Sequence, residues 1–241
     1  MIEIKKGNIF TTQCQTIVNT VNCVGIMGAG IAYEFKLRYP DMFSKYQSFC
    51  HDGQIDIGNL WVYQQDKANH SLQKVLNFPT KRHWKDPSKI EYLEAGLQKF
   101  VSTYKQKNIS SIAFPLLGAS KGGITEKASL AVMQRYLELC DIPVEIWYFD
   151  PQAKDDLFED FKVRFRAMDN LTIKAKTGLR ADMVVKVKLG LEQADINSLS
   201  GLAQVKGIGK VTLEKAFAFV SSDANDTVQT QEPTTGDLFA E

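Results

Sequence analysis

The 241-residue chain has only 4 cysteines, 3 histidines and 7 prolines. Cys14, Cys23, Cys50 and Cys140 are scattered, with no Cys-x-x-Cys pair, and His51, His70 and His83 stand at no metal-ligand spacing. A disulfide framework and a zinc site are therefore not expected, no metal is called for, and reduced thiols point to a cytoplasmic protein. No run of 18 apolar residues exists, so no membrane-spanning helix is expected. The opening stretch MIEIKKGNIF alternates like a strand and lacks the charged-then-apolar pattern of a secretory signal. An excess of one charge is missing as well: 29 Lys and Arg meet 28 Asp and Glu, a net +1. That balance excludes a uniformly basic nucleic-acid coat and a highly charged disordered chain. What remains is 44% apolar residues and a length that suits one large domain, or a medium domain with a small one.

Up to about residue 150, short apolar segments alternate with amphipathic ones. Strands are expected at Ile2–Ile4, Thr16–Val21, Leu60–Tyr63, Lys74–Phe78, Ser111–Pro115 and Val144–Phe149, all rich in β-branched or aromatic residues. Helices are expected from about Gly30 to Phe49, from Ser88 to Lys107 and from Thr125 to Leu139. In the second, Ile90, Leu93, Leu97, Phe100 and Tyr104 form one apolar stripe, and Ser88 with Glu91 reads as a capping box. Strands alternating with helices imply an α/β fold with a mostly parallel sheet. In such sheets ligands sit at the carboxyl ends of the strands.

Three loops at those ends carry a chemical message. In Val18–Ala32 a strand ends in Asn19 and Asn22, and a Gly25–Gly28–Gly30 turn opens a helix. Glycines let a ligand approach backbone N–H groups, a helix start favours phosphate, and amides suit ribose hydroxyls. Many strand–helix turns need glycine for geometry alone, so this loop is weak evidence taken singly. In Pro115–Thr125 a second strand feeds Gly118-Ala119-Ser120-Lys121-Gly122-Gly123. Two such loops make two walls of a diphosphate slot. Neither has the spacing of a P-loop or of a dinucleotide fingerprint. In the third, Asn77–Lys85, a strand runs into Lys81-Arg82-His83-Trp84-Lys85. Lys81 is a nucleophile if desolvation lowers its pKa, and otherwise an ordinary exposed lysine.

With these three loops in this order, residues 1–150 resemble the macrodomain family. Within it they are similar to its DNA ADP-ribosyl glycohydrolases, the DarG branch that serves as antitoxin to a DarT transferase. The stretches VNTVNCVGIMGAGIA and NFPTKRHW carry the likeness. It implies a three-layer α/β/α domain at residues 1–152 with a mixed, mostly parallel sheet, and no cofactor beyond the ADP-ribose of the substrate. It implies that Asn8, Ile9, Asn22, Gly25, Met27, Gly28, Gly30, Ile31 and Thr80 bind ADP-ribose, together with Leu117, Gly118, Ser120, Lys121, Gly122, Gly123 and Ile124. Tyr148 and Phe149 would lie beside adenine or the proximal ribose, and Lys81 falls on the catalytic lysine. Asn8 replaces the family's usual aspartate, and the second loop lacks the acid of protein-directed relatives.

After Asp150-Pro151 the texture changes. Residues Lys154–Met168 read as a helix, 170–188 are mixed, and Ala194–Val220 read as two helices around a glycine turn. Residues 161–222 hold 11 Lys and Arg against 5 acids. A small basic, mainly helical module is expected at 153–222 and an acidic disordered tail at 223–241. Residues 198–220 are similar to a helix-hairpin-helix element, in which Lys206, Gly207, Gly209 and Lys210 would grip a DNA phosphate. His83 and Trp84 are assigned to DNA contact as well. The expected activity is removal of ADP-ribose from bases of single-stranded DNA, in an antitoxin or repair role. The expected partners are ADP-ribosylated single-stranded DNA and a DarT-like transferase, with no membrane. The alternatives are a non-catalytic ADP-ribose reader and a hydrolase of protein-linked ADP-ribose esters or O-acetyl-ADP-ribose.

Overall fold

A computed structural model describes residues 1–64 and 74–226. It divides into two compact units, Met1–Asp156 and Leu157–Glu241. In the first unit the strands are β1 (Ile2–Gly7), β2 (Thr16–Asn22), β3 (Trp61–Gln64), β4 (Lys74–Lys81), β5 (Ile112–Pro115) and β6 (Val144–Phe149). Among the described residues they form one sheet in the order β1-β6-β5-β2-β4-β3. Every neighbouring pair is parallel except β3 against β4. The central strands explain their own sequences. β2 and β4 are almost wholly buried, as parallel strands covered on both faces must be.

Alternation along these strands feeds two cores. Val18, Leu76, Phe78, Phe114 and Ile146 point to one face, where Leu93, Leu97 and Phe100 of α3 (Ile90–Thr103) and Met133 and Leu137 of α4 (Glu126–Leu137) cover them. Ile17, Val21, Val75 and Ala113 point to the other. There Phe35 of α1 (Gly30–Arg38) and Met42 and Tyr46 of α2 (Pro40–His51) cover them. The result is helix, sheet, helix.

Local corrections have physical causes. The single helix expected from Gly30 to Phe49 is broken at Tyr39, because Pro40 lacks the N–H a continuing helix needs and takes the first position of α2 instead. Ser88 does not cap α3. The cap position is Lys89, without a side-chain bond, and the Ser88 N–H donates to Gly122 O at 2.8 Å, tying the helix start to the second loop.

The second unit is helical: α5 (Phe158–Ala167), α6 (Asn170–Thr177), α7 (Ala181–Gly190) and α8 (Lys210–Asp226). The mixed stretch resolves into α6 and α7. Asp169 caps α6 by accepting from Leu171 and Thr172 N–H at 2.9 Å, and Gly178 ends it. Its core holds Phe161, Phe165, Val184, Val187, Leu202 and Phe217. Of the two helices expected around the glycine turn, only the second forms. The first is a short 3-10 turn, Ser200–Gln204, preceded by Ser198, whose hydroxyl accepts from Gly201 N–H at 3.0 Å and competes with helix geometry. α8 runs on to Asp226, so the first four residues of the expected acidic tail are helical; the rest of that tail lies outside the described residues. Among the described residues no helix is long and apolar enough to cross a membrane.

Candidate active site

Five parallel strands end on one edge of the sheet, and the three loops singled out in the sequence leave from it. The first loop is held open by one side chain. Asn22 is buried at the end of β2, and its Oδ1 accepts from Val24 N–H at 3.0 Å and Ile26 N–H at 3.3 Å, while its Nδ2 donates to Ile26 O at 2.5 Å. Tyr46 of α2 reaches in and donates to Asn22 O at 2.6 Å. Burial pushes that phenol upward, so it stays a donor. Asn22 therefore shapes the loop, its amide oxygen and one amide N–H engaged by the loop's own backbone. Asn19 is fully buried and donates to Asn77 Oδ1 across β2 and β4 at 2.9 Å. Met27 is also in the core, its sulfur 3.9 Å from Asn19 Nδ2. It anchors the loop, and its side chain cannot line a ligand slot. The open positions are the glycines after it. A Cβ on Gly28 would meet only Ile26, at 3.7 Å, and one on Gly30 would meet nothing within 4 Å.

The second loop is anchored in the same way. Leu117 is fully buried, and its carbonyl accepts from the Ser129 hydroxyl at 2.7 Å. Gly118 is packed against Ile124, Ser88 and Leu93, and its carbonyl accepts from Ile124 N–H at 3.0 Å, closing the loop. A short 3-10 turn, Ser120–Gly122, follows, with Ser120 at φ 49°, a conformation non-glycine residues seldom adopt. Gly123, at φ +82°, again faces open space. The two loops thus offer Gly28, Gly30 and Gly123 as bare backbone.

Between them stands Lys81. It ends β4 opposite Asn22, at a register shift in the ladder. Its Nζ donates to Lys121 O of the second loop at 2.5 Å. The first loop is stitched to the same strand end: Cys23 N–H donates to Arg82 O at 3.1 Å, and the Cys23 thiol lies 3.3 Å from Lys81 O. Desolvation lowers the Lys81 pKa and Asp86 opposes it, so the amine is drawn towards its neutral, nucleophilic form. Burial, with Asp56 nearby, pushes the Cys23 thiol up to about 12, so it does not compete as a nucleophile. Thr80 is buried beneath Lys81 in the strand.

At the β1–β6 end of the edge, Asn8 is buried and its Oδ1 accepts from Phe10 N–H at 3.1 Å. Ile9 lies in the core. Phe149, opposite Gly7, is 74% exposed, and Tyr148 is half-buried. Of the expected ADP-ribose residues, then, Ile9, Met27 and Leu117 bury their side chains and can offer only backbone. Sequence reasoning missed Tyr46, which holds the first loop and sits in no motif, and it read Ser88 only as a helix cap, not as the backbone tie to the second loop.

In the second unit Gly207 takes φ +90°, which requires glycine, and a Cβ there would come within 2.9 Å of Lys186 Nζ. Ile208 is buried between the exposed Gly207 and Gly209, and α8 starts at Lys210. Lys186 joins Lys206 and Lys210 around this turn, a neighbour that only the fold supplies.

A family model, "Macro domain", matches residues 18–133. The macrodomain of Mycobacterium tuberculosis DarG superposes with a TM-score of 0.58 at 37% identity, over 61% of this chain and 97% of that one. The chain belongs to the macrodomain family. Within the family it is similar to the curated DNA ADP-ribosyl glycohydrolase of M. tuberculosis, with 39% identity over 151 residues, 61% of this chain and 42% of that protein. It is also similar to a Thermosipho africanus fusion of a DNA ADP-ribosyl transferase with a DNA ADP-ribosyl glycohydrolase, at 34% identity over 161 residues, 61% of this chain and 41% of that protein. The chain spans about two fifths of the length of the curated relatives it matches.

Proposed function

We propose that the chain is a DNA ADP-ribosyl glycohydrolase that counters a DarT-like transferase. The observation that carries this reading is the position of Lys81, which is half-buried, shifted towards neutrality and bounded by two glycine-faced loops. The likeness to DNA ADP-ribosyl glycohydrolases supports the substrate, and the fused transferase of the Thermosipho relative supports the partner. Gly28, Gly30 and Gly123 take the diphosphate and distal ribose through backbone N–H groups. Phe149 and Tyr148 stand beside adenine, whose amino group has the second lone pair of Asn8 Oδ1 within its chemistry. Lys81, once neutral, attacks the anomeric carbon of the distal ribose. The bond from that carbon to the base breaks, its electron pair leaves with the base, and the base takes up a proton. Water then releases ADP-ribose and restores the lysine. Positioning by the two loops accounts for much of the rate, since the nucleophile is held where the sugar must lie. In the second unit Lys206, Gly207, Gly209 and Lys210, with Lys186, contact a DNA phosphate and add salt-dependent affinity. The four free thiols support a reducing, cytoplasmic compartment.

The test uses single-stranded oligonucleotides ADP-ribosylated on thymine or on guanine. Wild type is expected to release free ADP-ribose, and Lys81→Ala to release none while still binding ADP-ribose. Full activity in Lys81→Ala would refute the mechanism. ADP-ribose binding without release by wild type would make the protein a reader, and release only from modified protein would make it a protein-directed hydrolase.

A further inference from the structure

The chain leaving Lys81 continues as Arg82-His83-Trp84-Lys85, and it is built as a platform. Trp84 is 49% exposed, unusual for a side chain of that size. Its ring is stacked with His83, centroids 5.6 Å apart and planes within 30°. Lys85 Nζ stands 5.1 Å from the Trp84 centroid. One step along, Tyr92 in the first turn of α3 has Arg82 at 6.0 Å and Lys89 Nζ at 5.6 Å from its ring centre. The backbone beneath is fixed. Asp86 N–H donates to His83 O at 3.1 Å, Lys85 N–H to His83 Nδ1 at 3.3 Å, and Ser88 N–H to Gly122 O at 2.8 Å. Arg82 is paired with Asp56 at 2.8 Å. The aromatic pair is therefore presented rigidly, with cations beside it and the reactive lysine at its root.

Rigid aromatic faces flanked by lysines suit a chain of planar rings joined by anions. A peptide offers no such repeat. A duplex buries its base faces in its own stack, so only an unpaired strand can use an open ring. Resting on the glycohydrolase reading of the site, we propose that Trp84, seated on His83, stacks a base adjoining the modified nucleotide. Lys85 and Lys89 meet the phosphates, and the preference for single-stranded DNA is thereby built into the macrodomain unit beside its nucleophile.

The test compares two substrates on the full chain, an ADP-ribosylated nucleoside and a single-stranded oligonucleotide carrying the same modification. Trp84→Ala is expected to lower the ratio of oligonucleotide to nucleoside kcat/KM about ten- to a hundredfold, as loss of one base stack does. Trp84→Phe keeps most of the ratio, and Lys85→Ala with Lys89→Ala makes it less dependent on salt. A ratio unchanged in Trp84→Ala overturns the platform, and equal losses on both substrates would mean that the ring holds the leaving base itself. A binding arm is independent of turnover: an unmodified single-stranded oligonucleotide should bind Trp84→Ala about tenfold or more weakly, and a duplex about equally. Unweakened single-strand binding sinks the proposal. Intact Trp84-dependent binding without hydrolysis by wild type would instead sink the glycohydrolase reading.

Discussion

Lys81 and Lys121 stand 40 positions apart, yet the carbonyl of one accepts from the amine of the other at 2.5 Å. In the proposed mechanism, attack by Lys81 requires that bond to break and the amine to be neutral. Desolvation favours loss of the proton and the Asp86 carboxylate opposes it. The sign is therefore fixed. If the neutral amine is the active form, as proposed, kcat/KM is expected to rise with pH along a limb centred below the ordinary lysine value of 10.5. Asp86→Asn removes the opposing charge. It moves the limb to lower pH and raises the rate at any fixed pH beneath it. A pH–rate profile of both proteins checks this, and an upward move would mean that Lys81 is not the titrating group. Cys23, Tyr46 and Asn22 are inert by comparison. They are donors and acceptors that keep the first loop open.

At the scale of elements, the site depends on how α3 lies on β4. Gly96 of α3 faces Phe78, and a Cβ there would fall 2.2 Å from Phe78 Cζ. Phe78 is fully buried, three residues before Lys81, so it cannot move aside without moving the strand that ends in Lys81. Gly96→Ala is expected to cost about 1–3 kcal/mol through overpacking, more than helix propensity returns. Thermal unfolding would register this as a Tm lower by roughly 3–10 °C. An unchanged Tm would show that the helix can lift off the sheet. The expected helix cap at Ser88 illustrates the same dependence. A serine before an apolar stripe ordinarily caps with its hydroxyl, but here Lys89 takes the cap position and the Ser88 backbone is tied across the fold to Gly122 O.

For the molecule as a whole, the chain forms two compact units. The first has its own sheet and two cores, and the residues matched by the macrodomain family model, 18–133, lie within it. A 1–156 fragment is expected to fold, to bind ADP-ribose and to cleave the modified nucleoside at close to the full rate. On a single-stranded oligonucleotide it should lose affinity, and the dependence of log Kd on log salt should become shallower as phosphate contacts of the second unit are removed. Equal salt slopes for the fragment and the full chain would take the basic turn around Gly207 out of DNA binding. Lys186, Lys206 and Lys210 would then form a solvated face and nothing more.

Much of this was open to inspection in the linear order of residues. The strands were legible because β-branched runs buried on both faces have no polar positions to disguise them. The three loops were legible because glycines cluster where backbone must be bare, and the place of Lys81 at a strand end was legible because it follows directly from such a strand. The break at Pro40 was written in the chain as well, although periodicity across it concealed it. What only the tertiary structure decided are contacts between residues far apart: Tyr46 on Asn22, Ser88 on Gly122, Lys186 beside Gly207, and Lys81 on Lys121. Local propensity cannot encode these, because each depends on where two distant segments meet. The same holds for burial, which turned Asn19, Met27 and Leu117 from expected ligand contacts or loop residues into core. Residue type sets what a side chain can do, and the packing of the sheet edge decides which of them is left facing the substrate.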